Sequence, residues 1–320
     1  MPTPIVLDVD TGVDDALALL FAAAHPQLDL LGVSCVAGNA SLDRVVENTL
    51  RVLALAGAPD VPVAAGAVRP LIEPARDAGH VHGADGLAGV QLPQAARSAE
   101  PVNAVEFLRR VILAHPEPVT VVALAPQTNL ALLLRTHPEV AANIARIVFM
   151  GGSASIGNAT ALAEFNVWHD PEAASVVLGS GVPLTMYGLD VFNRVEVPEA
   201  VATELAGSPD LLASVVGRLL DHRIAGPDGA HPYLGWIGDA GAVCSIVDPD
   251  ALRFERLPVR VELAGYGRGQ TVVDRRRIPG EDTVHGGVSD WAAVDVALDV
   301  DVTRMVQLFL GTVLPEALAE

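Results

Sequence analysis

The chain has 320 residues, of which 51% are hydrophobic and only 18% charged, a composition suited to a large buried core and unlike that of a disordered chain. Its formal net charge of −19 repels phosphate backbones and argues against a nucleic-acid partner. Cys35 and Cys244 stand alone in apolar runs, which suits buried core thiols rather than a disulfide framework or zinc knuckle. The N-terminus lacks the pattern of a secretory signal, and no apolar run is long enough to span a bilayer, so the expectation is a cytoplasmic protein with no membrane partner.

In chain order, Pro4 to Val9 reads as a strand and Val13 to Ala24 as a helix. Leu28 to Val36 is the next strand, Leu42 to Ala56 a helix, and Val61 to Ala65 a short strand. Val119 to Ala125 is followed by a helix over Thr128 to Thr136, then a strand at Arg146 to Met150, a helix at Pro171 to Gly179 and a strand at Pro183 to Tyr187. The strands are continuous apolar runs, as a parallel sheet buried on both faces requires. Beyond them, Val191 to about Asp239 is mostly helical, interrupted by a Gly/Pro-rich stretch at Ile224 to Gly238 that suits a loop over a site. Pro258 to Ala264 and Gln270 to Asp274 suggest a hairpin, Arg275 to Ser289 a loop, and Val302 to Val313 a final helix. The alternation predicts a single α/β domain over residues 1–320, with a mostly parallel, Rossmann-like sheet flanked by helices.

The chemistry concentrates where the first strand ends. Asp8, Asp10, Asp14 and Asp15 fall within eight residues, and such carboxylates repel one another unless a cation or hydrogen-bond donors compensate. Oxygen donors without nearby His or Cys favour a hard cation such as calcium or magnesium over zinc. One aspartate can be explained as a helix cap, but a cap does not account for four, so Asp10 and Asp15 are read as ligands. Asp239, at the start of an apolar helical run, reads by itself as an N-cap. Ala37-Gly38-Asn39, Pro126-Gln127-Thr128-Asn129 and Met150-Gly151-Gly152 each follow a strand and should converge on one rim. Asn158 to Asp170 carries Glu164, Asn166 and His169 beside Phe165 and Trp168, groups able to grip sugar hydroxyls while excluding water; Asp170 is read as the cap of the next helix. His82, in a Gly-rich loop, has an acid–base-competent side chain, but a lone loop histidine is more commonly solvated.

These stretches resemble the inosine–uridine nucleoside hydrolases. DVDTGVDDALAL, VAGNASLDRVVENTL, VHGADGL, ALAPQTNLA, FMGGS, AEFNVWHDPEAA and, more weakly, GDAGAVCSIVDPD carry the resemblance, which spans nearly the whole chain. It implies calcium-dependent hydrolysis of the N-glycosidic bond of ribonucleosides through a metal-activated water and an oxocarbenium-like transition state. Asp10, Asp15 and Asp239 match calcium-binding carboxylates, Thr128 the residue whose backbone carbonyl completes the set, and Asp10 the general base. Asp14, Asn39, Asn158, Glu164 and Asn166 match ribose-binding residues, and Met150 and Phe165 match apolar walls. The family also implies a homodimer or homotetramer. The chain departs from the pattern at Gly238, where many relatives carry a histidine as leaving-group acid. Trp236, Tyr233, His231 and His82 are the available substitutes, and Trp236 can equally anchor its loop to the core. Loss of that histidine opens a second reading, a non-catalytic calcium and ribose binder; a phosphohydrolase using the DxD stretch as a nucleophile loop ranks third.

Overall fold

The computed structural model describes residues 1–226, 229–286 and 291–315. Its strands are β1 (Thr3–Val9), β2 (Leu28–Cys35), β3 (Val63–Ala65), β4 (Val119–Ala123), β5 (Ile144–Met150), β6 (Leu184–Tyr187), β7 (Leu252–Val261), β8 (Thr271–Val273) and β9 (Ala292–Val300). They form one sheet in the order β3-β2-β1-β4-β5-β6-β9-β7-β8. All neighbours from β3 to β9 pair in parallel, while β7 runs antiparallel to both β9 and β8. The chain leaves β1 toward β2 and returns on its other side at β4, so strand order reverses between them. In open α/β sheets ligands bind at the carboxyl ends of the strands at such a point.

The first six strands, the helices after β1, β2, β4 and β5, and the β7/β8 hairpin match the expected alternation. Three elements differ, for a common reason. Charged residues break up each of them: Glu106, Arg109 and Arg110 in the helix Ala104–Ala114, Arg253, Glu255 and Arg256 in the first half of β7, and Asp295 and Asp299 in β9. In β7 alternate residues face solvent, and Asp295 and Asp299 of β9 pair with Arg256 (3.1 Å) and Arg194 (2.7 Å) at the surface. A search for continuous apolar runs passes over such segments. Residues 227–228 of the expected Ile224–Gly238 loop and 287–289 of the Arg275–Ser289 loop lie outside the described residues; within the latter a short helix, Glu281–Val284, forms. Among the described residues no helix is long and apolar enough to cross a membrane.

Two features aim the strand ends. The helix Val13–Ala24, buried from Asp15 to Ala22, packs against the helix Ala240–Val247, and this brings Asp239 beside the first acidic cluster although most of the chain lies between them. Deeper in the sheet, Asp8 Oδ1 accepts from Ser34 Oγ (2.5 Å) and Asn129 Nδ2 (2.8 Å). Asn129 Nδ2 also donates to the Cys35 carbonyl (3.0 Å), and its Oδ1 accepts from Ala67 N (2.9 Å). One buried amide therefore fastens β1, β2 and the segment after β3 to the helix that follows β4.

Asn129→Leu keeps the volume but removes three hydrogen bonds, with only Asp8 Oδ1 keeping Ser34 as a donor; a buried partner left unsatisfied costs about 1–3 kcal/mol. Its expected cost in urea unfolding is about 3 kcal/mol; a loss below ~1 kcal/mol would show that these strand ends are held by other contacts.

Candidate active site

At the end of β1 the backbone turns through Gly12 into a helix whose third residue is Asp15. Asp15 Oδ2 accepts from Gly12 N (2.9 Å) and Oδ1 from Asp10 N (3.3 Å), so this carboxylate closes the helix N-terminus. Asn39, just past β2, holds its neighbour. Its backbone N–H donates to Asp10 Oδ2 (2.7 Å), while Nδ2 reaches Asp10 Oδ1 (3.2 Å) and Asp15 Oδ2 (3.1 Å). The approach is so close that any side chain on Gly38 would collide with Asp10 Oδ2, which explains the glycine before Asn39.

Asp14, Asp15 and Asp239 each offer an oxygen, all within 4.8 Å of one another. Asp239 Oδ1 is buried without a hydrogen-bond partner. Burial, reinforced by the Asp14 charge, pushes Asp15 up to about 7. Burial and then Asp15 hold Asp10 well above the usual carboxylate range, and burial followed by the charges of Asp14, Asp15 and Asp10 does the same to Asp239. An all-oxygen donor set, an orphaned carboxylate oxygen and mutual repulsion fit a divalent cation. Asp10 is near enough to raise Asp239, but its oxygens are committed to Asn39, and the trio that comes together contains Asp14 in its place.

Above this floor lies a cavity of about 320 Å³. Asp14, Asn39, His82, Met150, Asn158, Glu164, Phe165, Asn166 and Asp239, all singled out in the sequence, line it together. Glu164 caps the short helix Phe165–His169: Oε1 accepts from Asn166 N (2.8 Å), and Oε2 from Gly152 N (2.9 Å) and Val167 N (3.1 Å). Burial, against these lowering bonds, pushes it up to about 7. Asn166 Nδ2 donates to the carbonyls of Leu124 (2.9 Å) and Met150 (3.2 Å), tying together the ends of β4 and β5. Asn158 Oδ1 accepts from Phe165 N (2.9 Å). Asp170 is the cap expected of it, accepting from Ala173 N (3.1 Å). His82 is buried rather than solvated: Val13 N donates to its Nδ1 (3.2 Å), with Asp14 Oδ1 3.8 Å away. Burial lowers its pKa, and a ring accepting at Nδ1 carries its proton on Nε2.

Two expectations need correction. Thr128 does not line the cavity. Its hydroxyl donates to Asp170 Oδ2 (2.6 Å), and as the first residue of the helix Thr128–Thr136 its carbonyl is directed along the helix axis, away from the strand ends. The wall residue at the end of β4 is Leu124. Trp236 also stands behind the wall, bridging to Glu196 and meeting Phe192 edge-on at 5.8 Å; Phe192 is the one that faces the cavity. Gly238 has φ +56° and packs directly on Asp14, so a Cβ there would collide with the Asp14 Cβ. No side chain fits in this conformation. Trp168, read in the sequence as a water-excluding neighbour of Phe165, also lines the wall; Arg76, Asp77, Leu124 and Phe192 are wall residues that the sequence reading does not assign.

The model of the inosine-uridine preferring nucleoside hydrolase family matches residues 5–307. The pyrimidine-specific ribonucleoside hydrolase RihA of Shewanella sp. (strain MR-7) is 40% identical over 312 residues, covering 93% of this chain and 96% of the relative. Among solved structures, the plant nucleoside hydrolase PpNRh1 superposes with a TM-score of 0.86 at 27% identity, covering 98% of this chain and 99% of the other. The purine-preferring ribonucleoside hydrolase of Gardnerella vaginalis does so with a TM-score of 0.86 at 30% identity, covering 97% and 98%.

Carboxylates whose folded pKa is raised above the unfolded value of about 3.9 weaken the ion-free fold as pH climbs through that value and on past about 7, where Asp15 titrates. A bound cation removes that penalty and displaces the protons. The rise in Tm on adding calcium should therefore be larger at pH 8 than at pH 5.5. An equal rise at both values, or none, would count against a cation among these groups.

Proposed function

The chain belongs to the inosine-uridine preferring nucleoside hydrolase family, and we propose that it hydrolyses the N-glycosidic bond of pyrimidine ribonucleosides to free base and ribose, with calcium as its cation. The observation that carries this reading is that the acidic floor and the Glu164–Asn166–Asn158 wall share one cavity, so a single ligand meets both. The base preference rests on the relatives named pyrimidine-specific, at 40% identity, against 30% for the purine-preferring structure. The activity named for the relatives favours this reading over the non-catalytic alternative suggested by the missing donor at Gly238, a glycine whose backbone and contact with Asp14 leave no room for a side chain.

Ribose departure from a base leaves positive character on C1′ and the ring oxygen. Glu164, with two oxygens fixed by three backbone N–H groups, and half-buried Asp14 are negative groups already oriented toward that charge, so little reorganisation accompanies its development. Asn158 and Asn166 provide amide donors and acceptors for the ribose hydroxyls, and Met150 and Phe165 close the walls against water. Asp10 is the proton acceptor for the attacking water: it is a buried carboxylate at the acidic floor, and Asn39 fixes its orientation. Asp15 and Asp239 would hold the cation with Asp14 and Asp10 alongside, and the Leu124 carbonyl would take the place that the resemblance assigns to Thr128. Calcium, when bound, supplies electrostatic orientation of the water and the sugar diol.

With calcium present, uridine and cytidine should release ribose at a kcat/KM about tenfold or more above inosine and adenosine; equal turnover of purines would remove the base preference. Asp10→Ala and Asp239→Ala should each lower kcat/KM by about 100-fold or more. Full activity in Asp10→Ala would strip that residue of its assigned role.

A further inference from the structure

The walls of the cavity carry four carboxylates, on Asp14, Asp77, Glu164 and Asp239, against one Lys or Arg among the described residues, Arg76. Its guanidinium lies over the Trp168 ring, 4.8 Å from the centroid, and Nη2 donates to Glu73 Oε2 (3.2 Å). The segment bearing it is fastened to the far wall: Leu71 N donates to Asp170 Oδ2 (2.9 Å), and Arg268 reaches both Glu73 (3.6 Å) and Glu172 (2.6 Å). Arg76 is thus a positioned cation. Its side chain is 42% exposed, which puts it at the mouth, whereas Glu164 and Asp239 are 2% exposed on the floor and wall.

A ribose gripped by the floor leaves its base directed toward that mouth. As the C1′–N bond breaks, the bonding pair goes to the base, which becomes an anion delocalised onto its ring nitrogen and carbonyl oxygen. The water oxygen bonds to C1′, the water proton passes to Asp10, and the base takes up a proton from solvent on release. An acidic cavity disfavours the anionic stage of this sequence. Gly238 has no side chain to relieve it, and His82 is held neutral with Nδ1 turned to the backbone.

We infer that Arg76, held on the face of Trp168, recognises the departing pyrimidine and stabilises its negative charge by hydrogen bonds to the base carbonyl. A guanidinium presents five N–H donors in a rigid fork and does this without giving up a proton. One nitrogen is used by Glu73 and one face by Trp168, which leaves the remainder of the fork for the ligand. The inference deepens the ribonucleoside reading above and rests on it.

The test compares wild type, Arg76→Ala, Arg76→Lys and Trp168→Ala on uridine and on p-nitrophenyl β-D-ribofuranoside, whose nitrophenolate leaves unaided. Arg76→Ala should lower kcat/KM for uridine by about 100-fold, mostly in kcat, as loss of a charge-stabilising donor does. On the nitrophenyl riboside the fall should be about tenfold smaller than on uridine. Lys, a point charge without the fork, should restore only part of the loss, and Trp168→Ala should show the same substrate-dependent pattern. Equal losses on both substrates, or no loss on uridine, would overturn the inference and leave Arg76 as a strap between loop and helix. If the wild type cut neither substrate, the hydrolase reading itself would fall. Calorimetric binding of free uracil still decides the role of Arg76 in that case: it is lost in Arg76→Ala if the inference holds and unchanged if it does not.

Discussion

The structure depends on keeping carboxylates together where water cannot screen them. Asp10, Asp15 and Asp239 are fully or almost fully buried; the charge of Asp15 raises the pKa of Asp10, and both raise that of Asp239. Two devices hold them there. Backbone N–H groups of Gly12, Asp10 and Asn39, with the Asn39 amide, satisfy Asp10 and Asp15. Asp239 has no such donor on Oδ1, and its position is fixed only because one buried helix packs on another. The first pair is organised by local sequence and the third member by the completed fold. The cluster therefore assembles only when β1, β2 and the helix Ala240–Val247 are all in place, and a divalent ion is the natural partner for the remaining charge.

Asp8 shows that burial alone does not make a site. It belongs to the same motif and burial likewise pushes it up to about 7, yet it faces Ser34 and Asn129 rather than the cavity. The turn beyond β1 separates it from Asp10: residues two apart would share a face in a continued strand, but β1 ends at Val9 and the chain past it redirects Asp10 toward Asn39. Among four aspartates that look alike in sequence, one holds the sheet, two are fastened by donors and one lines the open wall.

Much of this is legible in the sequence because the informative groups come directly after continuous apolar strands, and in a parallel sheet every strand end reaches the same rim. Asn39 and Met150 reach the cavity as that logic expects, and the Glu164–Asn166 segment, read from its polar groups beside aromatic neighbours, joins them there. Thr128 is not, because a strand-end motif does not reveal which of its residues has already entered the helix; Leu124, four residues earlier and apolar, carries no signal. Trp236 is open in sequence between anchor and contact, and the anchor prevails since Phe192, from a different element, occupies the space in front of it. Strands β7 and β9 are hard to read because one face of each is polar. Arg76 lies in a loop without periodicity, and nothing local distinguishes it from any solvated arginine.

The contrast between Gly238 and Arg76 bears on how a leaving group can be handled when the usual position carries no side chain. The φ of +56° at Gly238 lets the backbone lie directly against Asp14, which tightens the carboxylate cluster at the cost of a donor on that side. A tighter anionic floor stabilises positive ribose more strongly and repels an anionic base more strongly; both arise from the same field and cannot be tuned separately at that place. Relief for the base must then come from a cation set apart from the floor, far enough that it does not neutralise the carboxylates and near enough to meet the base. A guanidinium at the mouth, carried on an aromatic face rather than paired within the acidic cluster, meets both conditions, and in the proposed reaction charge would separate along the same direction, from floor to rim.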